Sequence, residues 1–345
     1  MWPRKEGTAE LLTGGSSAGG SLAAVTTAFA PAPTRAEAAE MGLASYPGAR
    51  RPDRRRTVDA GGLALTVWEW GEPDASPVLF AHGGFDFAGT FDTLAPRVAD
   101  GGYRVVSWDQ RGHGDSQHAH LYSWEADLRD AAAVLDSIGA NGGSTAPVAV
   151  LGHSKGGAQM LQLADALPHR VSHIINLDGL PSARSWPDVP DHHRTRMLNG
   201  ELSSWLDHRR GASDKVRRPG TVEELAHRRG QMNPRLDPAW LRYLVPIGAF
   251  GAPDGWRWKI DASMRMGGFG PWRPEWSMSR LPSLGMPVLC VLGLEIEVMG
   301  WGTLPEDVAP NLPPGARFIP LDGVGHFIHI EKPDVVADLV LDFLA

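Results

Sequence analysis

The sequence predicts an α/β domain with a mostly parallel sheet, interrupted once by a long insertion. Two observations predict it. From Thr57 onward, apolar runs of strand length alternate with stretches of helical period, the pattern of strands joined by crossover helices. Between about 181 and 283 the alternation stops, and afterwards it resumes, so the interruption reads as an insertion into one domain rather than a tandem domain. With 345 residues, 42% of them hydrophobic, the chain is long enough to bury a large core.

The predicted strands are 63–70, 77–81, 103–108, 147–151, 171–177, 287–292 and 316–319. Helices fill the gaps at 90–100, 123–138, 155–167 and 333–344, where apolar residues recur at three- and four-residue spacing. The core is thus read as 57–180 with 284–345, and 181–283 as a mainly helical cap. Seven of the thirteen tryptophans, at 186, 205, 240, 256, 258, 272 and 276, fall in the insertion. They suit either the core of that subdomain or an apolar lid over a pocket.

Residues 1–56 read as a flexible extension. The first 48 are rich in Ala, Gly, Ser, Thr and Pro and carry no sustained period. The run Ala28-Phe29-Ala30 mimics the end of a signal peptide, but its apolar content is thin and a polar, Gly-rich stretch separates it from Arg4 and Lys5. The reading is therefore cytoplasmic, with secretion as the alternative. Arg50, Arg51, Arg54, Arg55 and Arg56 read as a solvated linker.

Charge and cysteine content narrow the function classes. A net charge of −7 lacks the basic surplus that nucleic acid rewards. No apolar stretch approaches the roughly 18 residues a spanning helix needs. The single cysteine, Cys290, lies in the apolar run Val288-Leu289-Cys290-Val291-Leu292 and reads as a buried, inert thiol.

The sharpest local feature is Gly152-His153-Ser154-Lys155-Gly156-Gly157, a G-x-S-x-G pattern between a buried strand and a helical segment. A sharp strand-to-helix turn needs small residues on both sides of the serine, and it lifts Ser154 above the carboxyl edge of the sheet. The helix that follows directs its free N–H groups and positive dipole end at the same spot, which suits an oxyanion. A serine hydroxyl is a poor nucleophile until a base takes its proton. His326 is the candidate base, in a Gly-containing loop after the strand at 316–319. His82, His113, His153 and His329 also lie near turns, where bonding to neighbouring backbone is the plainer role. The second oxyanion donor is sought in His82-Gly83-Gly84-Phe85: Gly84 is the candidate, Phe85 the alternative, and the backbone N–H of Lys155 supplies the other. The Lys155 side chain is read as facing solvent or a carboxylate, with an anionic substrate group as the other option.

Four motifs in register, His82-Gly83-Gly84, Asp109 through Gly114, the serine turn, and Gly325-His326-Phe327, resemble the α/β-hydrolase superfamily over about 57–345. The resemblance implies an eight-stranded, mostly parallel sheet and a cap inserted after the strand at 171–177. It also implies a triad of Ser154, His326 and an acid, with no metal and no cofactor. Relatives that open epoxides or carbon–halogen bonds by covalent attack carry aspartate where this chain has Ser154. The acid departs from the common pattern, because the residue three after Gly293 is Ile296. Asp178, at the end of the strand 171–177, is the candidate; Glu297 and Glu295, which flank Ile296, are the alternatives.

The expected activity is that of a serine hydrolase cleaving a carboxylic ester or lactone of a small, mostly apolar molecule through an acyl-enzyme. Two alternatives stand beside it: a carbon–carbon hydrolase acting on diketones with the same triad, and a binding protein for a small apolar ligand on a lapsed hydrolase scaffold.

Overall fold

The computed structural model describes residues 34–139, 146–180, 191–212, 215–264 and 278–345. Ten strands are described: β1 (Arg54–Asp59), β2 (Ala64–Trp70), β3 (Ser76–Ala81), β4 (Tyr103–Trp108), β5 (Val148–His153), β6 (Val171–Leu177), β7 (Ala249–Ala252), β8 (Gly255–Trp258), β9 (Val288–Gly293) and β10 (Arg317–Leu321). The helices are α1 (Arg35–Glu40), α2 (Ala95–Asp100), α3 (Trp124–Gly139), α4 (Lys155–Ala166), α5 (Asp191–Ala212), α6 (Val222–Met232), α7 (Pro238–Gly248), α8 (Pro305–Val308), α9 (Ile328–Glu331) and α10 (Pro333–Leu344).

Eight strands form one sheet in the order β1-β2-β4-β3-β5-β6-β9-β10. The pairs β1/β2 and β2/β4 are antiparallel; the pairings from β4 through β10 are parallel. Both faces of the central strands are covered, so these strands read as unbroken apolar runs; every residue of β5 is buried. One face packs through Val106, Val150 and Met160, and the other through Phe80, Leu151, Val291 and Val340. β5 is a central strand. The loops that leave the carboxyl ends of β3, β5, β6 and β10 therefore meet above one point of the sheet edge, which in open α/β sheets is where ligands bind.

Three departures from the sequence reading have physical causes. The linker expected over the arginine run is ordered structure from Arg50 on, and Arg54 to Arg56 are in β1. Arg54 and Arg56 both pair with Glu69 of β2, at 3.4 and 2.7 Å, and the Arg55 guanidinium lies 5.3 Å from the Trp68 ring. Arg51 pairs with buried Asp92 at 2.5 Å. A strand whose side chains are arginines has no apolar alternation, which is why the sequence pattern passed over it. Upstream, α1 buries Ala38 in a cluster with Trp240, and Tyr46 sits edge-on to the Trp240 ring at 5.1 Å. Of the proposed extension, residues 1–33, with the signal-like segment, lie outside the described residues. Finally, the helix expected at 90–100 is a 3-10 turn (Ala88–Phe91) followed by α2, which has Pro96 in its first turn.

The segment 181–283 contributes α5, α6, α7 and a β7/β8 hairpin. α6 starts at a capping box in which Thr221 and Glu224 satisfy each other's backbone N–H groups. Its tryptophans divide: Trp205, Trp240 and Trp256 are buried, while Trp258 lines a cavity. Trp186, Trp272 and Trp276 lie outside the described residues.

Candidate active site

The turn between β5 and α4 puts Ser154 at φ 53° and ψ −123°, outside the ordinary regions for a residue with a side chain. Glycine at 152 and 156 is what lets this turn close. A Cβ on Gly152 would collide with the Gly156 carbonyl, and one on Gly156 with the backbone of Ala81 and His82. Ser154 lines a cavity of about 230 Å³ together with Gly84, Lys155, Met299, Trp301 and His326. The nucleophile candidate and the base candidate thus face one space.

His326 is held on three sides. Its Nδ1–H donates to Asp178 Oδ2 at 2.5 Å. Its backbone N–H donates to Glu297 Oε2 at 2.6 Å, and its carbonyl accepts from His153 Nε2 at 2.9 Å. Asp178 is fixed in turn: its N–H donates to the Val291 carbonyl, and its Oδ1 accepts from Gly293 N–H at 3.1 Å. At φ 48° it occupies the left-handed region, which aspartate tolerates better than most residues. With Nδ1 committed to the carboxylate, Nε2 is the nitrogen left to act as a base.

Among the three acid candidates, the structure brings only Asp178 to the imidazole. Glu297 is engaged with the backbone of the same histidine, and burial raises its carboxyl above the usual range. Glu295 is exposed. Glu331, which the sequence reading did not single out, steadies the same loop by accepting from Gly325 N–H at 3.0 Å.

The β3 loop separates its two oxyanion candidates. Phe85 N–H donates to His113 Nε2 at 3.2 Å, and His113 Nδ1–H donates to the Arg111 carbonyl. The Phe85 donor is therefore already used. Gly84 N–H donates to no group among the described residues, and Gly84 lines the cavity. His82 has the same tautomer as His113, giving Nδ1–H to the Gly83 carbonyl and accepting from Gln110 N–H at Nε2. Burial lowers the pKa of His82 to about 3 and holds His113 and His153 well below the ordinary histidine value, so all three stay neutral.

The Lys155 side chain lies in a buried polar cluster. Its Nζ lies 2.7 Å from an Asp127 carboxylate oxygen and donates to Gln110 Oε1 at 2.9 Å. Asp127 also accepts from Gln159, and Arg111 forms a two-point pair with neighbouring Asp130 at 2.6 Å. Of the readings open for this side chain, the carboxylate is the one found. Cys290 is buried in β9, and burial pushes its thiol up to about 12. Among the described residues, no group of three His, Cys, Asp or Glu side chains is arranged to hold a metal ion. Nor is any helix there long and apolar enough to cross a membrane.

Residues 71–181 match the family model described as serine aminopeptidase, S33. Among curated proteins, the chain is 24% identical to epoxide hydrolase A of Mycobacterium tuberculosis over 328 residues, covering 84% of this chain and 96% of that one. It is 26% identical to the sn-1-specific diacylglycerol lipase ABHD11 of Mus musculus, covering 80% and 83%. The thioesterase domain of the curacin biosynthetic pathway superposes with a TM-score of 0.69 at 24% identity, over 84% of this chain and 99% of that one. These similarities support the α/β-hydrolase superfamily for this chain, and the solved structures share its fold. Its eight-stranded, mostly parallel sheet is the one that the resemblance implies. The relatives named here carry the names of enzymes for different bonds, so the similarity supports hydrolysis without choosing the bond.

Proposed function

We propose that the protein is a serine hydrolase that cleaves a carboxylic ester or lactone through an acyl-enzyme on Ser154. The observation that carries this reading is the 2.5 Å bond from His326 Nδ1–H to Asp178, with the same ring facing the cavity that holds Ser154. In the first step His326 Nε2 takes the hydroxyl proton as Ser154 Oγ adds to the substrate carbonyl. The tetrahedral oxyanion is met by the backbone N–H groups of Gly84 and Lys155, the latter at the start of α4, where the helix dipole is positive. The imidazolium, stabilised by Asp178, then protonates the leaving alcohol. Water, deprotonated by the same nitrogen, releases the acid.

Asp178 also removes the main support for a lapsed scaffold, which was the absence of an acid three residues after Gly293. Similarity to an epoxide hydrolase does not extend the proposal to epoxides, because the turn carries a serine rather than the aspartate that attacks them. Capture of Ser154 by a fluorophosphonate tests the reading. Rapid labelling located at Ser154, abolished in Ser154→Ala and sharply slowed in His326→Ala, is expected; absence of labelling in the native protein contradicts it.

A further inference from the structure

Beside the Ser154 cavity lies a second one, of about 420 Å³, that shares Gly84, Phe85, Asp86, Met299 and Phe327 with it. Phe85, Met232, Trp258, Ile260, Met299 and Phe327 give it an apolar lining. It is also cationic, in a chain whose net charge is −7: Arg217, Arg218, Arg228 and Arg229 line it against a single acid, Asp86. That acid is already paired, since it accepts from Arg229, whose guanidinium also lies 5.5 Å from the Trp258 ring.

Among the described residues, the other three arginines have no carboxylate partner. Among the described residues the Arg217 guanidinium is held by backbone alone: Nε donates to the Ile260 carbonyl at 3.0 Å and Nη2 to the Asp261 carbonyl at 2.7 Å. Arg228 likewise donates to the carbonyls of Arg218 and Pro219, at 3.4 and 3.1 Å. Carbonyls aim a guanidinium without neutralising it, and three of the five N–H groups of Arg217 remain for a ligand. Burial accordingly pulls Arg217 below its ordinary pKa, with Asp261 only partly offsetting it. A half-buried, oriented cation that lacks a carboxylate partner gains most from an anion that arrives with the ligand. Past Arg217 the basic surface runs on into a groove of about 680 Å³ that adds Arg209 and Lys215.

We infer that the substrate carries an anionic group, carboxylate or phosphate, joined by an apolar stretch to the bond that Ser154 attacks, and that Arg217, assisted by Arg218 and Arg228, binds this group. The inference rests on the serine hydrolase reading and deepens it.

Two matched pairs of substrates test it. One pair is 4-nitrophenyl hexanoate against mono-4-nitrophenyl adipate, which differ by a terminal carboxylate. The other is hexanoyl-N-acetylcysteamine against hexanoyl-coenzyme A, which differ by the phosphate-bearing nucleotide. In at least one pair, kcat/KM for the charged member should exceed that of the neutral one by about tenfold or more. That ratio should fall at least about fivefold in Arg217→Gln and in Arg228→Gln, and fade with added salt. The pair that responds identifies the anion. No preference in either pair, or a preference unchanged in both variants, overturns the inference. Fluorophosphonate labelling run alongside keeps the two claims apart: labelling without charge preference defeats this inference alone, while no labelling and no turnover defeats the hydrolase reading and this inference with it.

Discussion

Asp178 and Glu297 both touch His326, but through different atoms, and the difference sets their roles. Asp178 accepts from the ring and so fixes the tautomer; Glu297 accepts from the backbone N–H and so holds the loop. Glutamine at 297 still offers an oxygen to that N–H, and Glu297→Gln is expected to leave kcat within about tenfold of the native value, measured on any turned-over ester. In the sequence these carboxylates were competing candidates. Ile296 stands where the resemblance leads one to look for the acid, and in the structure it is 71% exposed. Which carboxylate reaches the imidazole depends on how the ends of β6 and β9 sit side by side, and a one-dimensional pattern does not contain that. The choice between Gly84 and Phe85 was hidden for the same reason, because it turns on a histidine 28 residues away.

At the scale of elements, α4 is the piece on which the site depends. Its first residue follows Ser154, the proposed nucleophile, and its side chain is tied through Asp127 to α3. Removing the acid leaves the Lys155 charge buried beside Arg111. Asp127→Ala should therefore destabilise the fold by about 3–5 kcal/mol, read by urea denaturation. Replacing Lys155 by Met in that background should recover part of the loss, because the uncompensated charge goes with it. The apolar strands were legible because each is buried on both faces; 171–177 matches β6 residue for residue. β1 was not, since its stability comes from arginine pairs with Glu69 rather than from apolar alternation. The tryptophan-rich segment was not legible in detail. Trp240 packs among aromatic neighbours while Trp258 faces a cavity, and composition treats the two alike.

Across the whole molecule, buried histidines link stability to pH. His329 is fully buried between Phe91 and His153, with ring centroids 5.1 and 4.3 Å away, and burial lowers its pKa to about 3. The unfolded chain takes up that proton near 6.5 and the folded one does not. Full stability from this group is thus present above about 6.5 and is lost at about 1.4 kcal/mol per pH unit as pH falls toward 3. Buried acids with raised pKa values, Asp86 and Asp109 among them, act in the opposite direction, so the native curve alone does not isolate the effect. A comparison does. The stability of His329→Leu relative to the native protein should rise steadily as pH falls below 6.5, measured by thermal unfolding, and a constant difference across pH 4–8 would contradict the assignment.

The account stands on a serine made reactive by an imidazole that Asp178 holds in one tautomer. Its most direct test is kcat for ester hydrolysis in Asp178→Asn, with folding checked by circular dichroism. A loss of about 10⁴-fold is predicted, because asparagine favours the wrong tautomer while keeping the shape. Near-native turnover in Asp178→Asn would contradict it.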